Sequence, residues 1–173
     1  MSLTLCGALL TGCSSTPVRL HRNLSYVEPA AERQTGDLYL PPEEGPHPVA
    51  VVLHGGGWSG RDRSDMADIS ERLAAAGIAA FNVNYRLAPE HRFPAQLEDV
   101  RSALQWIMDH AETYELDPDR IVTVGYSAGA HLALLAASDP HPDAPPVRAV
   151  IAGGAPTDLT LYPESPYVKK LMG

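Results

Sequence analysis

The stretch Gly125-Tyr126-Ser127-Ala128-Gly129 restricts this chain more than any other part of it. It follows Ile121-Val122-Thr123-Val124, an apolar run of strand length, and it opens an Ala/Leu-rich run to Ala137 that reads as a helix. A serine between a strand and a helix, with glycine two positions away on each side, implies a sharp turn. The turn forces the serine into a strained backbone and exposes its hydroxyl, while flanking side chains would collide with strand and helix. Glycine at 125 and 129 and small Ala128 remove those collisions. The following helix aims its first unpaired N–H groups at any negative charge beside the serine. Ser127 therefore reads as a nucleophile.

The rest of the chain alternates in kind. Leu24–Val27 and Asp37–Leu40 suggest a short antiparallel pair, and Val49–Leu53 reads as a strand buried on both faces. Helix patterns follow over Ser64–Ala76, with Met66, Ile69, Leu73 and Ala76 on one face, and over Ala95–His110, with Leu97, Val100, Leu104, Ile107 and Met108. Strands are expected at Ile78–Tyr85 and Val147–Ala152, and Asp117-Pro118-Asp119 reads as a turn. Val168–Gly173 looks like the start of an amphipathic helix. Strands alternating with amphipathic helices predict an α/β fold with a mostly parallel sheet and right-handed crossovers. The 173 residues suit one domain, and a formal net charge of −8 argues against nucleic acid as a partner.

Acyl transfer needs donors for an oxyanion beside the nucleophile. His54-Gly55-Gly56-Gly57-Trp58 ends the buried strand, and three glycines let its backbone N–H groups turn into a site unobstructed. Arg86-Leu87-Ala88-Pro89-Glu90-His91-Arg92-Phe93-Pro94 is irregular and polar, and Asn84-Tyr85-Arg86-Leu87-Ala88-Pro89-Glu90 lies between these two motifs. No metal cluster or phosphate-binding loop competes, and no cofactor is expected.

These three segments, in this order, resemble the α/β-hydrolase superfamily, in the branches of esterases related to hormone-sensitive lipase and to feruloyl or acetylxylan esterases. The resemblance runs from about Leu38 to the last residue. It implies an α/β-hydrolase fold with helices on both faces of the sheet and a serine carboxylesterase acting through an acyl-enzyme. Acetyl or feruloyl esters of carbohydrates are candidate substrates. It assigns Ser127 as catalytic nucleophile and Gly56, Gly57 and Ala128 as the oxyanion hole, with the segment from Tyr85 to Glu90 bracing the glycine loop. Tyr126 stands where the hormone-sensitive-lipase branch has Asp, which favours the feruloyl/acetyl side. The alternatives are an arylformamidase or peptidase on the same scaffold, or a hydrolase-like binding protein without catalysis.

The resemblance also implies an acid and then a histidine after the serine, and 46 residues follow Ser127 (173 − 127). His141 lies in a proline-bound loop, and His131, one helical turn past the serine, reads as a structural histidine. Asp158 ends a strand and is a candidate acid, one strand earlier than the resemblance places it; His54 props its own loop, and His91 belongs to the pocket rim or surface. The C-terminal strands of the fold are therefore expected to be missing, and the chain alone is expected to be nearly inert. Residues 1–13 form an apolar segment ending in Leu10-Thr11-Gly12-Cys13 that resembles a lipoprotein-type signal, with Cys13 the lipidated residue. Residues 14–33 read as a tether and the start of the first strand, and 34–173 as the N-terminal part of the hydrolase domain. The protein is thus expected to be exported and held at a membrane by a lipid on Cys13, where it meets a small-molecule or carbohydrate ester.

Overall fold

The structure is a computed structural model that describes residues 17–138 and 145–173. Cys13, its signal segment and His141 lie outside the described residues.

Six strands form one mixed sheet: β1 (Arg19–Ser25), β2 (Thr35–Leu40), β3 (His47–Leu53), β4 (Ala79–Val83), β5 (Leu116–Tyr126) and β6 (Val147–Gly153). Their spatial order is β1-β2-β4-β3-β5-β6, antiparallel from β1 through β2 to β4 and parallel from β4 through β3 and β5 to β6. Helices α1 (Ala67–Ala75), α2 (Ala95–Asp109) and α4 (Ala128–Ser138) connect the parallel strands, with a short α3 (Ala111–Tyr114) and a final α5 (Pro166–Met172). Side-chain alternation along β3 divides the core. Val49, Val51 and Leu53 pack with Leu97, Val100, Leu104 and Ile107 of α2 and Leu132 of α4. Ala50 and Val52 pack on the opposite face with Ala74 of α1.

Several elements depart from expectation for local reasons. The first strand starts at Arg19, not Leu24, because it is an edge strand whose outer residues Arg19 to Asn23 stay at the surface. Backbone pairing with β2 builds it, and no apolar pattern announces it. Asp117–Arg120 do sit within β5, but they are looped out: His47 pairs Leu116 while Val49 already pairs Ile121. Asp119 N–H donates to the Asp117 carboxylate at 2.9 Å, the local turn that the sequence suggested.

On the first helix the buried face runs through Met66, Ser70 and Ala74, and Ala76 is exposed. Ser70 can be buried because its hydroxyl donates back to the Met66 carbonyl at 2.8 Å. Ile69, expected in the core, is exposed, as is Met108 of α2, whose place is taken by Trp106 stacked on Phe81.

Candidate active site

Leu53, the last residue of β3, pairs with Gly125 of β5, so the glycine loop and the serine turn leave neighbouring strands at the same end. Ser127 has φ of 53°, the left-handed region that a residue with a side chain enters only under strain. Two hydrogen bonds hold it there. Its N–H donates to the Gly153 carbonyl of β6 at 2.7 Å, and its carbonyl accepts from His131 N–H at 3.0 Å in the first turn of α4. A methyl group at Gly129 would overlap the carbonyl oxygens of Leu53 and His54, and one at Gly125 would overlap the Gly129 carbonyl. Helix α4 therefore meets β3 backbone to backbone, which puts its N-terminus beside the glycine loop.

That loop turns through φ of 107° at Gly56, 58° at Gly57 and 56° at Trp58, closed by a bond from Ser59 N–H to the Gly56 carbonyl. Tyr85 braces it from behind. The phenol donates to the His54 carbonyl at 2.9 Å, and the ring stacks on the imidazole with centroids 4.3 Å apart. Ala88 N–H donates to the Trp58 carbonyl at 2.8 Å, so the Tyr85–Glu90 segment holds both ends of the loop.

His54 Nδ1, assigned the proton from its partner, donates to the Gly55 carbonyl at 2.7 Å. Burial lowers its pKa to about 4, so the ring is neutral at pH 7. It props the loop, as the sequence suggested. Arg33, which sequence reasoning passed over, ties the loop's exit to the brace through the Arg61 carbonyl at 2.8 Å and the Tyr85 carbonyl at 3.2 Å. No pattern marks such a residue, because its acceptors lie 28 and 52 positions away.

Among the described residues, the N–H groups of Gly56, Gly57 and Ala128 donate to no protein acceptor. All three residues line one cleft of about 870 Å³ together with Ser127. A hydroxyl beside three free backbone donors suits a reaction in which negative charge develops on an oxygen. The lining of the cleft is partly apolar, from Pro156, Leu159 and Val168, and partly polar, from Ser59, Arg61 and Asp65. Tyr126, 62% exposed, lines the same cleft and immediately precedes the serine.

Among the described residues, no histidine side chain hydrogen-bonds the Ser127 hydroxyl. His131 is buried with its ring edge-on to Trp58 at 5.2 Å, and burial lowers its pKa. His91 lies at the surface beside Glu90. Asp158 is exposed and caps a 3-10 turn, accepting from Thr160 N–H at 2.9 Å.

Residues 36–169 match the protein-family model described as BD-FAE. A curated relative, the carboxylesterase NlhH of Mycobacterium tuberculosis, is 41% identical over 92 residues, which cover 52% of this chain and 28% of that protein. The chain thus spans less than a third of that relative's length. A solved structure of an inhibited esterase B from Lactobacillus rhamnosis superposes with a TM-score of 0.64 at 32% identity, covering 69% of this chain and 40% of the other. A bifunctional GH43-CE protein from Bacteroides eggerthii superposes with a TM-score of 0.80 at 25% identity, covering 89% and 26%.

Proposed function

Because the chain belongs to the BD-FAE family of α/β-hydrolase esterases, we propose that it hydrolyses carboxylic esters through an acyl-enzyme on Ser127. The observation that carries this is the strained serine at φ 53° sharing a cleft with three unpaired backbone N–H groups. Ser127 Oγ attacks the ester carbonyl, and the carbonyl oxygen, becoming negative, accepts from the N–H groups of Gly57 and Ala128, with Gly56 alongside. The tetrahedral carbon collapses and expels the alkoxide, which takes up the proton lost by the serine and departs as the alcohol, leaving an acyl-serine for water to hydrolyse. Names of relatives such as carboxylesterase and esterase favour esters over formamides or peptides as the substrate class.

Tyr126 beside the serine supports an acyl or alcohol group with a flat face, in keeping with feruloyl or acetyl esters of carbohydrates. Among the described residues no base hydrogen-bonds the Ser127 hydroxyl, and what the described site supplies is a nucleophile with its oxyanion donors. Donors without the complete triad still give about 10³–10⁴ over water.

The deciding experiment is mass spectrometry of the chain after incubation with 4-nitrophenyl acetate and with a fluorophosphonate. An adduct on Ser127, lost in Ser127→Ala, is expected; adducts elsewhere, or none, would overturn the reading. The same protein is proposed to be exported and lipidated on Cys13, a reading motivated by Leu10-Thr11-Gly12-Cys13. Palmitate labelling in bacteria should then disappear in Cys13→Ser, and equal labelling of both would refute it.

A further inference from the structure

Gly57 has a neighbour that its place in the loop does not require. The Tyr167 ring of α5 occupies the position where a Gly57 side chain would be, with ring atoms against the glycine Cα. Helix α5 is seated independently of that ring. Leu171 is fully buried, its carbonyl accepts from Phe93 N–H at 2.9 Å, and Val168 packs against the core. Tyr167 itself stays half exposed and lines the cleft. Its ring thus lies on the backbone that carries one of the three free N–H groups.

We propose that Tyr167 determines the size of the acyl group that Ser127 accepts, an inference that rests on the ester-hydrolase reading above. A carbonyl oxygen bonded to Gly57 N–H places the first carbon of the acyl chain within van der Waals reach of any group resting on Gly57. The ring there shortens the space that chain can enter. Pro156, Leu159 and Val168, the last adjoining Tyr167 in α5, give the cleft an apolar lining that suits a hydrocarbon chain. Ser59 and the Arg61–Asp65 ion pair (2.9 Å) add polar lining that suits the alcohol, such as a sugar hydroxyl. Tyr167 is a specificity residue in this scheme and takes no part in bond making.

The test is internal competition. The full chain is incubated with an equimolar mixture of 4-nitrophenyl acetate and 4-nitrophenyl hexanoate, and the two acyl-Ser127 masses are compared. One methylene in an apolar pocket discriminates by about 10–200-fold, so Tyr167→Ala should raise the hexanoyl-to-acetyl ratio by at least about tenfold. Tyr167→Phe should leave the ratio unchanged, and Tyr167→Trp should lower it; this larger-ring variant keeps the question open to refutation if the alanine variant fails to fold. A ratio that stays within about twofold across foldable variants, or an equal fall of both adducts, overturns the proposal and leaves the esterase reading intact. Absence of any Ser127 adduct in the wild type overturns both.

Discussion

Ser127 keeps its hydroxyl exposed through a left-handed backbone, and that conformation costs a residue with a Cβ about 1–2 kcal/mol. Ser127→Gly should therefore stabilise the fold by roughly 1 kcal/mol, whereas Ser127→Ala, which keeps the Cβ, should leave stability near wild type. Urea midpoints of the three proteins measure this, and equal midpoints for the glycine and alanine variants would show the turn to be unstrained. His54 makes the residue-level case for acid sensitivity. Its folded pKa of about 4 lies below the usual 6.5, chiefly through burial, with Arg33 adding to the shift and Asp62 and Asp65 opposing it. As pH falls, the unfolded chain takes up this proton first. The stabilisation is whole above pH 6.5 and is lost as pH drops toward 4, on the order of 3 kcal/mol at 1.36 kcal/mol per unit. His54→Phe keeps a ring on Tyr85 and cannot titrate, so its stability should fall less between pH 7.5 and 5 than the wild type's. Parallel falls in the two proteins would exclude this role. The glycines and the serine were legible in the sequence because each is the residue type that its backbone angle or close approach demands. Arg33 and Tyr167 were not, since their roles arise from carbonyls and glycines brought near only by the folded chain.

At the scale of elements, the approach of α4 to β3 decides whether the site assembles. Gly129→Ala puts a methyl group into two backbone carbonyls, which cannot rotate away as a side chain could. The helix must lift from the strand, at a cost of about 1–3 kcal/mol by analogy with overpacked cores. The lift would also carry Ala128 N–H away from Gly57. Loss of Ser127 labelling together with a lowered thermal midpoint is expected, and a variant with wild-type labelling and midpoint would refute the close-contact account. Buried strands and α2 were readable from their apolar runs, because periodicity follows burial. Strand β1 was misplaced because an edge strand is specified by its neighbour's backbone. On the first helix, Ile69 and Ser70 exchanged roles because a hydroxyl bonded to its own helix can be buried where an isoleucine serves as cleft wall.

At the scale of the whole molecule, β1 and β6 end the sheet among the described residues, and the two edges differ in character. Arg19 and Arg22 stud β1, and both form ion pairs there, with Glu115 and Asp37. Along β6, Ala149, Ile151 and Ala152 are exposed, with Ile151 at 60%. Exposed apolar edges template strand pairing, and charges on an edge oppose it. Ile151→Lys should reduce self-association of the purified chain several-fold by light scattering, whereas Leu20→Lys on β1 should change little. An equal effect of both would deny β6 a special part. β6 also carries the acceptor for the amide of Ser127, whose N–H donates to the Gly153 carbonyl. That amide proton is therefore a built-in clock: its exchange with deuterated solvent can run only when the last strand peels from β5. Protection at this one position reports how firmly β6 is seated, without substrate, label or turnover. Anything that clamps or loosens this edge will be read first at Ser127.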